Sequence, residues 1–158
     1  VRNALQGKAN VHRPKINCGP TTTGLKSIDA WLGDGKWDVI HFNWGLHDLK
    51  HWKDGKLDAA GPQLNAIDAY EKNLREIVAR LKKTGAKLIF ATTTPVPAGS
   101  AGRVAGDEVK YNEAAVRVMK AEGVAIDDLH AFAMPKLTEI QRPQNVHFSD
   151  AGSKALAG

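Results

Sequence analysis

The stretch that decides the fold is Asp38-Val39-Ile40-His41-Phe42-Asn43-Trp44-Gly45-Leu46-His47-Asp48, in which an apolar segment leads directly into a Gly-x-His-Asp turn. The segment 37–43 has the apolar character of a strand that is buried on both faces. In an α/β protein, the turn after such a strand lies at the carboxyl end of the sheet, where ligands bind. Two further polar motifs, Asn17-Cys18-Gly19-Pro20-Thr21 and Asn145-Val146-His147-Phe148-Ser149, are expected to meet it there.

Strands and helices alternate along the chain, which predicts an α/β protein. Apolar runs predict strands at 8–12, 37–43, 87–93 and 124–127, and helical spacing predicts helices at 25–32, 70–81, 108–122 and from 150 onward. The apolar stripe of the second helix consists of Tyr70, Leu74, Ile77, Val78 and Leu81. Asp107 is predicted to cap the third helix. Alternating elements imply a parallel sheet with right-handed crossovers, so we expect a three-layer α/β/α sandwich with a flavodoxin-like sheet.

The composition is that of an ordinary globular protein. The 158 residues are 42% hydrophobic and 25% charged, and this length predicts one domain over 1–158. The formal charge is +5, but the basic residues are spread over helix faces, so we expect no nucleic-acid partner. No apolar run approaches the roughly 20 residues that cross a bilayer, so we expect no membrane partner. A single cysteine, Cys18, excludes an internal disulfide, and the scattered histidines predict no metal and no other cofactor.

The order of the polar motifs resembles that of the SGNH, or GDSL-type, hydrolases. The second block of that family matches Asn17, Gly19, Thr21 and the following Gly24-Leu25. The third block, Gly-x-Asn-Asp, matches Gly45-Leu46-His47-Asp48, and the fifth, Asp-x-x-His, matches Gln144-Asn145-Val146-His147. Supporting matches are Tyr70, Asn73-Leu74, Thr94-Pro95 and Tyr111-Asn112. The resemblance spans nearly the whole chain and implies the SGNH hydrolase fold.

The resemblance also implies roles for three residues. His147 would act as the general base that removes the proton of a serine hydroxyl. The backbone N–H of Gly19 and the side chain of His47 would donate hydrogen bonds to the oxyanion formed on the ester carbonyl. Asn43, at the end of the strand, is an alternative donor. Asp48 is expected to stabilise the turn by accepting backbone hydrogen bonds.

The chain departs from the family pattern in two places. The first block, Gly-Asp-Ser, is absent from 1–158, and the residues 1–7 resemble the helix that follows it. The chain opens on Val1 without a secretory signal or an initiator Met, so we expect a domain truncated at both ends, with its nucleophilic serine and first strand upstream. Gln144 replaces the aspartate that orients the catalytic imidazole. Gln144, Asn145 or a backbone carbonyl would hold the ring of His147, with Asp48 and Asp150 as weaker alternatives.

These observations predict a serine ester hydrolase, specifically an acetylesterase whose substrate is a small ester or an acetylated carbohydrate. Trp44 and Trp52 flank the predicted site and are expected to form a stacking platform for a sugar ring. A catalytically degenerate, carbohydrate-binding module of the same fold is the alternative. A flavodoxin-like nucleotide-binding or receiver domain would share the sheet, but the chain lacks a glycine-rich phosphate loop and an acidic cluster. The compartment and the oligomeric state stay open.

Overall fold

The computed structural model describes all residues 1–158 and contains two sheets. Strands β1 (Val39–Phe42), β4 (Lys87–Ala91) and β5 (Ala125–Asp127) form a parallel sheet in the order β1-β4-β5, and β2 (Trp52–Lys53) and β3 (Lys56–Leu57) form a small antiparallel hairpin. The helices are α1 (Thr21–Leu32), α2 (Ile67–Lys82), α3 (Asp107–Ala121), α4 (Leu129–Ala133), α5 (Leu137–Ile140) and α6 (Asp150–Leu156), with a 3-10 helix at Met134–Lys136.

The register of the parallel sheet brings the carboxyl ends of its strands to one edge. Phe42 of β1 lies opposite Phe90 of β4, and Phe90 lies opposite Ile126 of β5. Helix α2 connects β1 to β4, and α3 connects β4 to β5. The predicted α/β class, a parallel sheet flanked by helices, is confirmed. The turns that follow β1 and β4 therefore share the edge at which ligands bind in open α/β sheets.

The core lies between the sheet and the long helices. Helix α1 packs against α2, and α2 packs against α3. The predicted stripe on α2 is confirmed, because all five of its apolar side chains are buried. Burying one large apolar side chain contributes about 1.5–3 kcal/mol, so this stripe anchors the helical layer to the sheet. The neighbouring core residues are Ile28, Phe42, Leu88, Phe90, Tyr111, Ala114, Ala115, Val118 and Met119.

Strand β1 is the edge of the parallel sheet, and its outer side faces a cleft. The cleft has a volume of about 450 Å³ and is lined by apolar residues that include Trp31, Trp37 and Ile40. Val39 on β1 is 51% exposed. The backbone of β1 pairs with β4 only, so one row of its N–H and C=O groups has no strand partner.

Two predictions about the N-terminal part are wrong. The segment 8–12 forms no strand, and 1–7 forms successive turns rather than a helix. Val11 O accepts hydrogen bonds from the guanidinium of Arg2, at 2.9 Å from Nη2, and not from a neighbouring strand. A strand is stable only when its backbone groups are paired, and the cleft separates this segment from β1. The sheet consequently has three strands instead of the expected four.

Helix α3 also differs from the prediction at its beginning. Asp107 is its first residue and does not cap it, because the carboxylate accepts hydrogen bonds from His51 (2.8 Å) and Gln63 (3.1 Å). Tertiary partners thus replace the local capping bond. Of the helices in the structure, none has the length and apolar character that would let it cross a membrane.

Candidate active site

The loop that leads into α1 forms one side of the candidate site. Gly19 has a φ of +61°, which favours glycine, and a Cβ atom there would lie 3.1 Å from Thr23 Oγ1. Its backbone N–H donates a hydrogen bond to Asn17 Oδ1 at 2.9 Å. The predicted oxyanion donor is therefore engaged by a side chain two residues earlier. Rotation of the Asn17 side chain would release this N–H toward a ligand.

Asp48 joins this loop to the turn after β1. Its side chain is buried, and Oδ1 accepts hydrogen bonds from the Thr21 backbone N–H (2.9 Å), from Thr21 Oγ1 and from Asn65 Nδ2 (2.7 Å). Asn73 Nδ2 donates to Thr21 Oγ1 at 3.0 Å and extends the network to α2. Because Thr21 begins α1, Asp48 caps that helix from 27 residues away in sequence.

The second carboxylate oxygen of Asp48 has no hydrogen-bond partner. Burial raises the pKa of this carboxyl, and the hydrogen bonds from Thr21 and Asn65 partly oppose that rise. Asp48 makes no hydrogen bond to His147. It accepts a backbone N–H, as expected, but that N–H belongs to Thr21 and not to the turn.

His47 lies in the turn between Gly45 and Asp48, and its ring is half-buried. No protein group forms a hydrogen bond with the ring, so both nitrogens are available to a ligand. Burial lowers the pKa of His47 to about 4, and the positive charges of Lys50, Arg103 and His147 act in the same direction. The imidazole is therefore neutral at pH 7 and carries one N–H donor. Its neutral state suits hydrogen bonding to a developing oxyanion without an added charge.

His147 is held by its neighbour Asn145. Asn145 Oδ1 accepts the backbone N–H of His147 at 2.9 Å and lies 2.7 Å from its Nδ1. Because an amide oxygen can only accept, Nδ1 carries a proton, and in the neutral imidazole the lone pair then lies on Nε2. That tautomer is the one a general base requires. Of the residues expected to orient the ring, the structure selects Asn145.

Gln144 makes no hydrogen bond to His147, and Asn43 is bonded to a neighbouring strand. Gln144 has a φ of +52°, and its side chain lies against Gly99, so it does not reach the His147 ring. Asn43 Nδ2 donates to Ala91 O at 2.7 Å and thereby links the ends of β1 and β4. This bond uses one N–H of the amide, so the role of Asn43 as an alternative oxyanion donor stays a prediction.

The predicted tryptophan platform is wrong for Trp44. Its ring is only 7% exposed and packs in the core against Phe42, at a centroid distance of 6.2 Å. Trp44 also has a buried indole N–H without a partner. Trp44 lies two residues after buried Phe42, the last residue of β1. It therefore continues the alternation of the strand and points inward. Trp52 on the hairpin is 39% exposed, with the Lys50 ammonium 5.8 Å from its ring centroid.

Several residues that support the site were given no role by sequence reasoning. Asn112 in α3 forms two hydrogen bonds of 2.8 Å with the backbone N–H and C=O of Thr93, as a paired strand would. Tyr70 donates to Trp44 O at 2.8 Å. Arg103 Nε donates to Leu46 O at 3.1 Å, beside His47. The motif matches at Tyr70 and Asn112 were a usable signal, but nothing local marks Arg103.

The titratable groups offer neither a metal site nor an activated thiol. No three His, Cys, Asp or Glu side chains converge to hold a metal ion. Burial raises the pKa of the Cys18 thiol, so it is protonated at neutral pH. What the arrangement can do is accept a proton at His147 Nε2 and donate hydrogen bonds from His47 and, after a side-chain rotation, from Gly19.

Comparison with known proteins identifies the family. The model of the GDSL-like lipase/acylhydrolase family matches residues 4–155, so the chain belongs to that family. No curated protein matches the chain at a significant level.

Solved structures share the fold at low sequence identity. The lipase/acylhydrolase from Enterococcus faecalis has a TM-score of 0.71 and 19% identity, over 87% of this chain and 66% of that one. The acetyl xylan esterase AlAXEase has a TM-score of 0.77 and 15% identity, over 99% and 84%. The acetylxylan esterase Axe2 from Geobacillus stearothermophilus has a TM-score of 0.69 and 17% identity, over 88% and 64%. The chain thus spans just under two thirds of the length of the first and third proteins.

Proposed function

We propose that this chain forms the base and oxyanion side of a serine ester hydrolase that removes acetyl groups from carbohydrate. The observation that carries the proposal is the pairing of His147 with Asn145, which leaves Nε2 of the imidazole free to accept a proton. Membership of the GDSL-like lipase/acylhydrolase family supports the reaction class. The names of two structural neighbours, both acetyl xylan esterases, support acetylated carbohydrate as the substrate.

The proposed reaction passes through an acyl-enzyme. His147 Nε2 takes the proton of a serine hydroxyl, whose oxygen attacks the ester carbonyl carbon. The resulting oxyanion accepts hydrogen bonds from the neutral ring of His47 and from the Gly19 N–H, once Asn17 releases it. His147 then gives its proton to the departing alcohol, and a water molecule hydrolyses the acyl-serine by the same steps in reverse. The serine belongs to the Gly-Asp-Ser block of the family, which 1–158 does not contain.

Hydrolysis of p-nitrophenyl acetate by the intact polypeptide, as expressed from its gene, tests this proposal. His147→Ala is expected to lower kcat at least about 1000-fold, because the serine loses its base. His47→Ala is expected to lower kcat by about 100-fold or more with little change in KM, because an oxyanion donor acts mainly in the transition state. His41→Ala removes an exposed histidine of β1 that pairs with Asp127, so it is the matched control and should retain activity. Unchanged turnover in His147→Ala would refute the assignment.

A carbohydrate-binding module without catalysis is the second candidate. It is favoured by the Gly19 N–H, which is already bonded to Asn17, and by the exposed His147, which has no hydroxyl partner in 1–158. A fluorophosphonate, which modifies activated serines, distinguishes the two functions. Labelling of the intact polypeptide that is lost in His147→Ala supports the enzyme. Absence of labelling together with binding of acetylated xylo-oligosaccharides supports the module.

A further inference from the structure

Lys50 and Arg103 lie beside His47 and take no part in the proposed reaction. The His51 backbone N–H donates to Gly102 O at 2.8 Å, which brings Lys50 and Arg103, the residues adjoining this pair, to the same part of the site. Arg103 is fixed there by hydrogen bonds from Nε to Leu46 O (3.1 Å) and from Nη1 to Ala101 O (3.2 Å). Both of these acceptors are neutral carbonyls.

No carboxylate neutralises these cations. None of the ion pairs in the structure includes Lys50 or Arg103. Two carboxylates lie close to these cations in sequence, and both bind other residues. Asp48 accepts from Thr21, and Asp107 accepts from His51. The Nη2 group of Arg103 and the ammonium of Lys50 have no hydrogen-bond acceptor in the protein. Both groups are free to bind an anion.

The positive charges of Lys50 and Arg103 lower the pKa values of neighbouring basic groups. Burial and the charge of Arg103 lower the pKa of Lys50, and both cations contribute to the low pKa of His47. Like charges that are partly withdrawn from water repel each other more strongly than they would at a fully exposed surface. An anionic group bound between Lys50 and Arg103 would relieve this repulsion. The exposed ring of Trp52 beside Lys50 offers an apolar face next to the same position.

We propose that Arg103 and Lys50 bind an anionic group, a carboxylate or a phosphate, of a sugar ligand whose acetyl ester reaches His47. The two residues would make the site selective for acidic over neutral carbohydrate. The acetyl ester in this statement rests on the proposed function, whereas the anion site rests on the two unpaired cations alone. Arg is suited to this role because its planar donors match the geometry of carboxylate and phosphate oxygens.

Titration calorimetry of the intact polypeptide with three matched sugars tests the proposal. Glucuronate and glucose 6-phosphate are expected to bind at least tenfold more tightly than glucose, and raising the salt concentration should weaken only the two charged ligands. Tighter binding of glucuronate assigns a carboxylate to the site, and tighter binding of the phosphate assigns a phosphate. Equal affinity for all three sugars would overturn the proposal.

Variants locate the binding to the two cations. Arg103→Gln and Lys50→Met are each expected to weaken glucuronate binding about tenfold, and Arg103→Lys, which keeps the charge but loses the planar donors, should weaken it less. Lys120→Met is the matched control, because the last turn of α3 lies at the opposite end of the helix from the site edge. An equal loss in Lys120→Met would mean that net charge alone attracts the sugar and would overturn the site. Circular dichroism checks that each variant is folded.

The same ligands separate this inference from the proposed function. Selective glucuronate binding by a polypeptide that hydrolyses no ester would support the anion site and refute the enzyme. Ester hydrolysis with equal kcat/KM for acetylated glucose and acetylated glucuronate would support the enzyme and overturn the proposed selectivity.

Discussion

The two sides of the candidate active site are held in opposite ways. On the oxyanion side, buried Asp48 links the Gly19 loop, the His47 turn and Asn65 through hydrogen bonds between residues distant in sequence. On the base side, exposed His147 is held by Asn145, two residues away. The placement of the oxyanion donors therefore depends on the whole fold, whereas the tautomer of His147 depends on a local turn. Loss of the first should damage the protein, and loss of the second only its activity.

The largest effect is expected from Asp48→Ala. The buried Thr21 N–H would lose its acceptor, the Asn65 amide would keep only its 3.4 Å contact with Thr21 Oγ1, and α1 would lose its cap. We expect the free energy of unfolding to fall by about 3 kcal/mol, measured by urea denaturation. Asp150→Ala, in the exposed first turn of α6, is the matched control and should cost less than about 1 kcal/mol. Equal losses in the two variants would remove the distinction between the two sides.

An intermediate effect is expected on the base side. In the intact polypeptide, Asn145→Ala should lower kcat by about tenfold to a hundredfold, because the imidazole loses its orientation, while the urea midpoint stays nearly unchanged. Asn145→Asp should move the acid limb of the kcat/KM profile to higher pH, because a carboxylate favours the imidazolium. Gln144→Asn, which tolerates the positive φ, is the control. A kcat loss in that control as large as in Asn145→Ala would contradict the assignment of the ring to Asn145.

At neutral pH, the smallest effect on stability is expected at His47. Its pKa is about 4 in the folded chain against an ordinary value of 6.5, so the unfolded chain binds more protons between these values. The free energy of unfolding therefore increases as the pH rises from about 4 to 6.5. His47→Gln should flatten the dependence of the unfolding free energy on pH in this interval and leave it unchanged above. An unaltered slope in urea denaturation across the interval would show that the ring is not shielded from protons.

The same contrast explains what the sequence could predict. The stripe on α2 and the turn that carries His47 are encoded by neighbouring residues, because helical spacing predicts the first and the apolar run before Gly45 predicts the second. The role of Asp48 as a cap for α1 could not be found, because its partners Thr21 and Asn65 lie 27 and 17 residues away. The position of Arg103 beside His47 could not be predicted for the same reason, because its contact with Leu46 spans 57 residues.

The errors have physical causes as well. The segment 8–12 has the composition of a strand, but strand formation needs a partner, which composition does not report. Trp44 was expected to face a sugar because it follows β1, and the side to which it points depends on the pleat of that strand. Asp107 has the residue type of a helix cap, yet a histidine and an amide from other segments bind its carboxylate.

The open edge of β1 has a practical consequence for handling the molecule. Unpaired backbone groups along a strand can template the addition of a further strand, and apolar surface beside them strengthens the contact. Because backbone pairing is insensitive to side-chain identity, we expect a polypeptide limited to residues 1–158 to self-associate through this edge in concentrated solution. Light scattering across a dilution series of that polypeptide would reveal it.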